Sequence, residues 1–144
     1  MLYTEMTNKA IKLAYEAHQG QYDKSGLPYI FHPFHLAEQM DTEETVTAAL
    51  LHDVMEDTDI TLEELQKMGF PDSVTDALSL LTHDPSMPYL EYVKRLKNNP
   101  IARSVKLADL IHNSDLSRLS VVTEEDLERV EKYRQALNLL KQGE

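Results

Sequence analysis

Apolar residues along the chain recur at intervals of three and four, the period that sets side chains on one face of a helix. Ile11, Ala14, Tyr15 and His18 follow it near the N-terminus. Polar cues mark where helices begin. Thr61-Leu62-Glu63-Glu64 fits a capping box, in which the Thr and Glu side chains each satisfy the other's backbone N–H. Thr123-Glu124-Glu125-Asp126 has the same form with Asp in the Glu position, and Thr42 precedes another acidic first turn. Pro71 and Pro100 stand where helices would start, a position that tolerates a missing N–H. Together these signs predict helices at about 4–19, 33–40, 43–56, 61–68, 72–82, 86–98, 100–116 and 123–141. Segment 20–32 carries two glycines and a proline between two helical patterns, which predicts a structured loop, briefly extended over 28–31. No segment alternates with a period of two over a strand's length, and there is no internal repeat. The expected fold class is all-α: a single-domain helical bundle over 1–144.

Composition narrows the function classes. A chain of 144 residues with 42% apolar content suits one hydrophobic core. No stretch approaches the roughly 20 apolar residues of a membrane span. The start, with charges scattered through it, does not read as a secretory signal, so the cytoplasm is the expected compartment. Cysteine is absent, which excludes disulfides and thiolate zinc sites. The 25 acidic residues outnumber the 14 basic ones, for a net charge of −11. That balance disfavours a nucleic-acid backbone as partner, since such binding needs clustered Lys and Arg. A small phosphorylated ligand held by a metal and a few local cations remains compatible with it.

The chemistry concentrates in Ala48-Ala49-Leu50-Leu51-His52-Asp53-Val54-Met55-Glu56-Asp57. An apolar run able to bury its helix leads directly into four polar, mostly acidic residues. On a continuous helix Glu56 and Asp57 would share a broad face with His52 and Asp53. Like charges at that spacing repel, and a cation would relieve them. Taken alone, the cluster reads as the solvated acidic end of a helix. Three further residues change that reading. His32 follows the loop, before Pro33, which restricts the backbone of the residue preceding it. Asp109 puts a carboxylate inside the apolar Val105-Lys106-Leu107-Ala108 helix, where an unpaired charge is expensive. Asn113 stands four residues on, over the same face. Each has a plainer reading: a loop histidine, a partner for Lys106, a surface amide.

Taken in order, Ala17-His18-Gln19-Gly20-Gln21, Pro28-Tyr29-Ile30-Phe31-His32-Pro33, Leu50 to Thr58 with its His52-Asp53 pair, and Val105-Lys106-Leu107-Ala108-Asp109-Leu110-Ile111-His112-Asn113 resemble the HD superfamily of metal-dependent phosphohydrolases. Within it the chain is most similar to the hydrolase domain of RelA/SpoT enzymes and their stand-alone small relatives, including the metazoan SpoT homologues. The resemblance runs over almost the whole chain and implies a helical bundle of the HD-domain type. It implies His32, His52, Asp53 and Asp109 as metal ligands, with Mn²⁺ as the usual ion; two imidazoles and two carboxylates suit such a divalent ion. It gives Glu56 and Asp57 the catalytic role of taking a proton from, or orienting, a metal-activated water. The implied reaction removes pyrophosphate from the 3′ position of guanosine tetra- or pentaphosphate. Asn113, Tyr133 and Lys24 are the implied substrate contacts.

The chain departs from the family pattern in the loop before His32. Relatives commonly carry Arg-Lys where this chain has Asp23-Lys24, and an aspartate neither stacks on guanine nor offsets phosphate charge. A second reading is therefore an HD-type phosphohydrolase acting on another nucleotide or phosphate ester. A third is a catalytically silent nucleotide-binding regulator. The remaining histidines, His18, His35, His83 and His112, read as structural, His18 as a support for the loop. The Lys94-Arg95-Lys97 group reads equally as a solvated basic face, and Tyr15, Tyr89 and Tyr92 as core or interface.

Overall fold

The computed structural model describes residues 1–142. Helix α1 spans Glu5–Ala17, α2 Phe31–Glu38, α3 Glu43–Leu51, α4 Val54–Asp57, α5 Leu62–Lys67, α6 Asp72–Leu81, α7 Tyr89–Leu96, α8 Pro100–Asn113 and α9 Glu124–Lys141. Among the described residues β-structure amounts to one isolated antiparallel bridge, Tyr22 with Pro28. The all-α expectation is met. The capping boxes at Thr61 and Thr123 close as their sequences predict, and Thr42 forms one with Thr45.

Helix α3 is the hub. Its residues Val46, Thr47, Ala48, Ala49, Leu50 and Leu51 are all buried, and it packs against α1, α2, α6 and α8. A helix apolar on every side is stable only when other elements surround it. That burial carries its C-terminal continuation, His52-Asp53, into the interior. Helix α8 reaches the same point from another direction, burying Ala102, Val105, Ala108, Asp109 and Leu110.

The structure corrects several helix boundaries. The helix expected over 43–56 is broken: α3 ends at Leu51 and α4 starts at Val54. Asp53 has φ −104° and ψ 0°, the sparsely populated bridge region rather than helical geometry. His52 and Asp53 therefore form a turn, not two positions on one regular helix face. Helix α2 begins at Phe31, so His32 sits in its first turn rather than in the loop. Pro33 is tolerated there because a first-turn N–H has no intrahelical partner. Helix α7 starts only after Pro88, and α8 ends at Asn113, followed by a short 3-10 turn at Leu116–Arg118.

The loop between α1 and α2 is structured, as expected. Gly20 and Gly26 take left-handed backbone angles, φ +79° and +80°, which favour glycine. Asp23 organises the turn between them: its Oδ1 accepts from the N–H groups of Ser25 and Leu27, both at 2.9 Å. The loop is tied to the 3-10 turn by the Ser25 hydroxyl, which donates to the Arg118 carbonyl, and by Arg118 beside Asp23 at 3.6 Å.

Candidate metal centre and substrate cleft

Three chain segments bring four ligand-type atoms together. His32 Nε2 lies 2.9 Å from Asp109 Oδ1 and 3.8 Å from Asp53 Oδ2. His52 Nε2 lies 2.9 Å from Asp53 Oδ2 and 3.5 Å from Asp109 Oδ1. One ligand atom each from His32, His52 and Asp109 fall within 4.8 Å of one another, and all three residues are buried. Two ligands at right angles, each about 2.1 Å from an ion, would stand about 3 Å apart. The observed spacings suit that arrangement.

The hydrogen bonding of His52 fits a cation. Its Nδ1 lies 2.6 Å from the Ala49 carbonyl and must donate to it, which leaves the Nε2 lone pair facing the carboxylates. Nε2 is buried and has no hydrogen-bond partner of acceptable geometry. A bare nitrogen beside a carboxylate oxygen is repulsive unless a proton or a metal ion lies between them. Burial works against a charged His52 ring, yet Asp53 and Asp109 push its pKa well above the ordinary histidine value. The residues present therefore fit a divalent ion.

Surrounding groups orient these candidate ligands, as partners do around metal sites generally. Burial opposes ionisation of Asp109, but Lys106, with Nζ 3.0 Å from Oδ2, holds its pKa well below the usual carboxylate range. Asn113 donates from Nδ2 to Oδ1 of Asp109 at 2.9 Å. The plain reading of Asp109 as partner of Lys106 thus holds alongside the metal reading, because its two oxygens face different neighbours. Tyr29 donates its hydroxyl to Asp53 Oδ2 at 2.5 Å, and burial together with Asp53 pushes its pKa up.

His112 supports His32, a link the sequence reading missed. Their Nδ1 atoms are 2.7 Å apart, and the two rings lie nearly parallel, with an interplanar angle of 6°. Burial, then the nearby Arg118, lowers the His112 pKa to about 4; with His32 donating from Nδ1 to that neutral ring, His32 Nε2 is left free to bind an ion. The signal available in the sequence was the position of His112, three residues after Asp109 and on the same helix. His35 packs against His112 in turn, with ring centroids 4.2 Å apart. His18 supports the loop as expected, through Nδ1 and Gln21 Oε1 at 2.8 Å.

The acidic pair after His52-Asp53 divides. Glu56 lines the cleft beside His52, Asp53 and Asp109, and its Oε1 accepts from the His83 backbone N–H at 2.5 Å. Burial raises its pKa above the usual glutamate value. Asp57 lies outside that lining, although burial and Asp53 raise its pKa as well.

The cleft has two lobes that meet at Tyr29, Asn113 and Tyr133. One, about 320 Å³, is lined by His52, Asp53 and Asp109 with Glu56, His83, Tyr89, Lys106 and Lys132, and His32 stands behind Asp53 and Asp109. The other, about 260 Å³, is lined by Tyr22, Lys24, Arg118 and Arg129 among others. Lys24, Asn113 and Tyr133 thus all border the cleft. Lys94 is exposed and pairs with Glu91 at 3.4 Å, on the solvated face the sequence suggested.

Comparison with known proteins agrees with this geometry. An HD domain family model matches residues 10–138. The human guanosine-3′,5′-bis(diphosphate) 3′-pyrophosphohydrolase MESH1 is 40% identical over 113 residues, covering 69% of this chain and 62% of that protein. The Danio rerio MESH1 is 36% identical over 129 residues, covering 80% of this chain and 71% of that protein. The guanosine-3′,5′-bis(diphosphate) 3′-pyrophosphohydrolase of Aquifex aeolicus is 32% identical over 142 residues, which make up 20% of its length. A solved structure of a metazoan orthologue of SpoT that hydrolyses ppGpp superposes with a TM-score of 0.76 at 26% identity, over 99% of this chain and 89% of that one. The chain therefore spans about three-fifths of the human relative, and with its ordered His32, His52-Asp53 and Asp109 it belongs to the HD-domain family.

Proposed function

We propose that the chain is a metal-dependent 3′-pyrophosphohydrolase of guanosine tetra- or pentaphosphate, built as one HD-type domain and working in the cytoplasm. The observation that carries the reading is the meeting of His32, His52, Asp53 and Asp109 at one end of a two-lobed cleft that also holds Glu56. Relatives that bear this activity by name, at 36–40% identity, support it.

His32, His52, Asp53 and Asp109 would hold the ion, Mn²⁺ in this proposal. A bound divalent ion lowers the pKa of its water and polarises a phosphoryl oxygen. Glu56, fixed by the His83 N–H, takes the proton from the attacking water. Asp57 contributes its negative field from outside the lining. Asn113 and Tyr133, at the junction of the lobes, orient the ribose and its 3′-diphosphate, and Lys24 borders the nucleoside lobe. As the water oxygen bonds to phosphorus, the bond from phosphorus to the ribose 3′-oxygen breaks. That oxygen takes up a proton and pyrophosphate departs.

The test is a panel of phosphorylated nucleotides incubated with the Mn²⁺-loaded protein. Release of pyrophosphate from ppGpp, lost in His52→Ala and Asp53→Ala, is the expected result. Wild-type rates in both variants would discredit the metal mechanism. A second reading, hydrolysis of a different nucleotide or phosphate ester, draws on Asp23, whose carboxylate is committed to its own loop and to Arg118. Orthophosphate release from another member of the panel, with ppGpp left intact, selects that reading.

A further inference from the structure

The metal-side lobe contains two amines and a hydroxyl that the reaction as described leaves unused as substrate contacts. Lys132 Nζ, on the exposed side of α9, lies 4.7 Å from the centre of the Tyr89 ring and 5.6 Å from that of Tyr133. Lys106 Nζ lies 5.6 Å from the same Tyr89 ring. The Tyr89 hydroxyl is buried beside the Lys106 ammonium and makes no hydrogen bond of good geometry among the described residues. Two ammonium groups gathered on one ring, beside an unsatisfied hydroxyl, form an environment that an anion would stabilise.

The distribution of ion pairs shows which cation is free to bind one. In the other lobe every cation has a carboxylate: Arg118 has Asp23 at 3.6 Å, Arg129 has Asp126 at 2.8 Å and Lys24 has Asp126 at 3.8 Å. Lys106 is committed to Asp109. Lys132 has Glu128 one turn before it, yet it turns over the Tyr89 ring and makes no ion pair among the described residues. The ion pairs of α9 run instead from Arg129 to Asp126 and from Arg134 to Glu131. With no partner on its three N–H donors among the described residues, Lys132 beside this lobe is suited to a phosphate.

We infer that Lys132, with the Tyr89 hydroxyl, forms a subsite for the terminal phosphate of a diphosphate whose inner phosphate lies at the His32–His52–Asp53–Asp109 site. The inference rests on the proposed reaction class and adds a direction to it. The diphosphate points towards α7 and α9, while the nucleoside occupies the lobe of Tyr22 and Arg118.

Calorimetric titration with inorganic pyrophosphate and with orthophosphate, on protein loaded with metal and freed of excess ion, tests this. Lys132→Ala is expected to weaken pyrophosphate binding about tenfold, the loss of one charge-assisted hydrogen bond, and to leave orthophosphate binding unmoved. Tyr89→Phe should weaken pyrophosphate by a smaller factor, and Lys132→Arg should restore it. Wild-type protein that binds no pyrophosphate overturns the inference, as does a Lys132→Ala change that is absent or equal for the two anions. Turnover of ppGpp is scored separately. A selective loss of pyrophosphate binding without turnover would keep the subsite and reject the reaction. Turnover with unaltered pyrophosphate binding in Lys132→Ala would reject the subsite alone.

Discussion

His52 Nδ1 donates to the Ala49 carbonyl at 2.6 Å, and this one bond determines that Nε2 is the atom facing Asp53 and Asp109. Without an ion, the two carboxylates raise the His52 pKa well above the ordinary histidine value despite its burial, which favours a proton on Nε2. An incoming metal ion must displace that proton. Metal affinity should therefore fall as pH falls below the raised pKa. Titrations at about pH 7 in buffers of different ionisation enthalpy should show about one proton released per ion. An enthalpy independent of buffer would contradict the assignment of His52 as a ligand.

Tyr29 works one contact further out. Its hydroxyl donates to the Asp53 oxygen that faces both histidines. Tyr29→Phe keeps the ring and removes only that donor. The expected outcome is a fold unchanged by circular dichroism and a metal affinity about 10- to 100-fold weaker, the range for lost ligand-orienting partners.

Lys106 and Asp109 form an ion pair whose side chains are only 12% and 10% exposed. Lys106→Met leaves the carboxylate buried without its neutralising partner. In metal-free buffer we expect a loss of about 3 kcal/mol in urea denaturation. Added Mn²⁺ should shrink that deficit, because the ion takes over part of the charge compensation. An equal deficit with and without metal would place the ion elsewhere.

Glu56 and Asp57 should separate in kinetics. Glu56→Gln is expected to lower kcat by about 10²- to 10⁴-fold with metal content intact, as for removal of a general base. Asp57→Asn should cost distinctly less, since Asp57 does not line the cleft. The raised Glu56 pKa also sets the sign of the pH profile. The ionised base is lost as pH falls, so the acid limb should break above the ordinary glutamate value of 4.5.

Much of this was legible in the sequence because it is local. Capping boxes at Thr61 and Thr123 depend on residues three apart, and Asn113 meets Asp109 across one helical turn. Asp109 stood out because a carboxylate inside an apolar helix demands a partner, while the set of His32, His52, Asp53 and Asp109 came from the family resemblance. The break at Asp53 was not legible. It arises where the chain leaves the central helix and its side chain meets Tyr29 and His52, a tertiary constraint that overrides helical periodicity. The role of His112 was hidden for the same reason: its partner His32 is 80 residues away, and its place three residues after Asp109 was the one local hint. Lys132 also gave no local sign, since its meaning lies in the Tyr89 ring across the cleft rather than in its neighbours on α9.

The contact between His32 and Asp109 joins residues 77 apart, with His52 and Asp53 between them in the chain. An ion held there closes two long loops at once, the work a pair of disulfides would do in a chain without cysteine. Chelation would then remove a cross-link as well as a reactant. The loaded protein should resist proteolysis in ways the stripped protein does not, and sensitivity should appear first in the segments between the clamped residues.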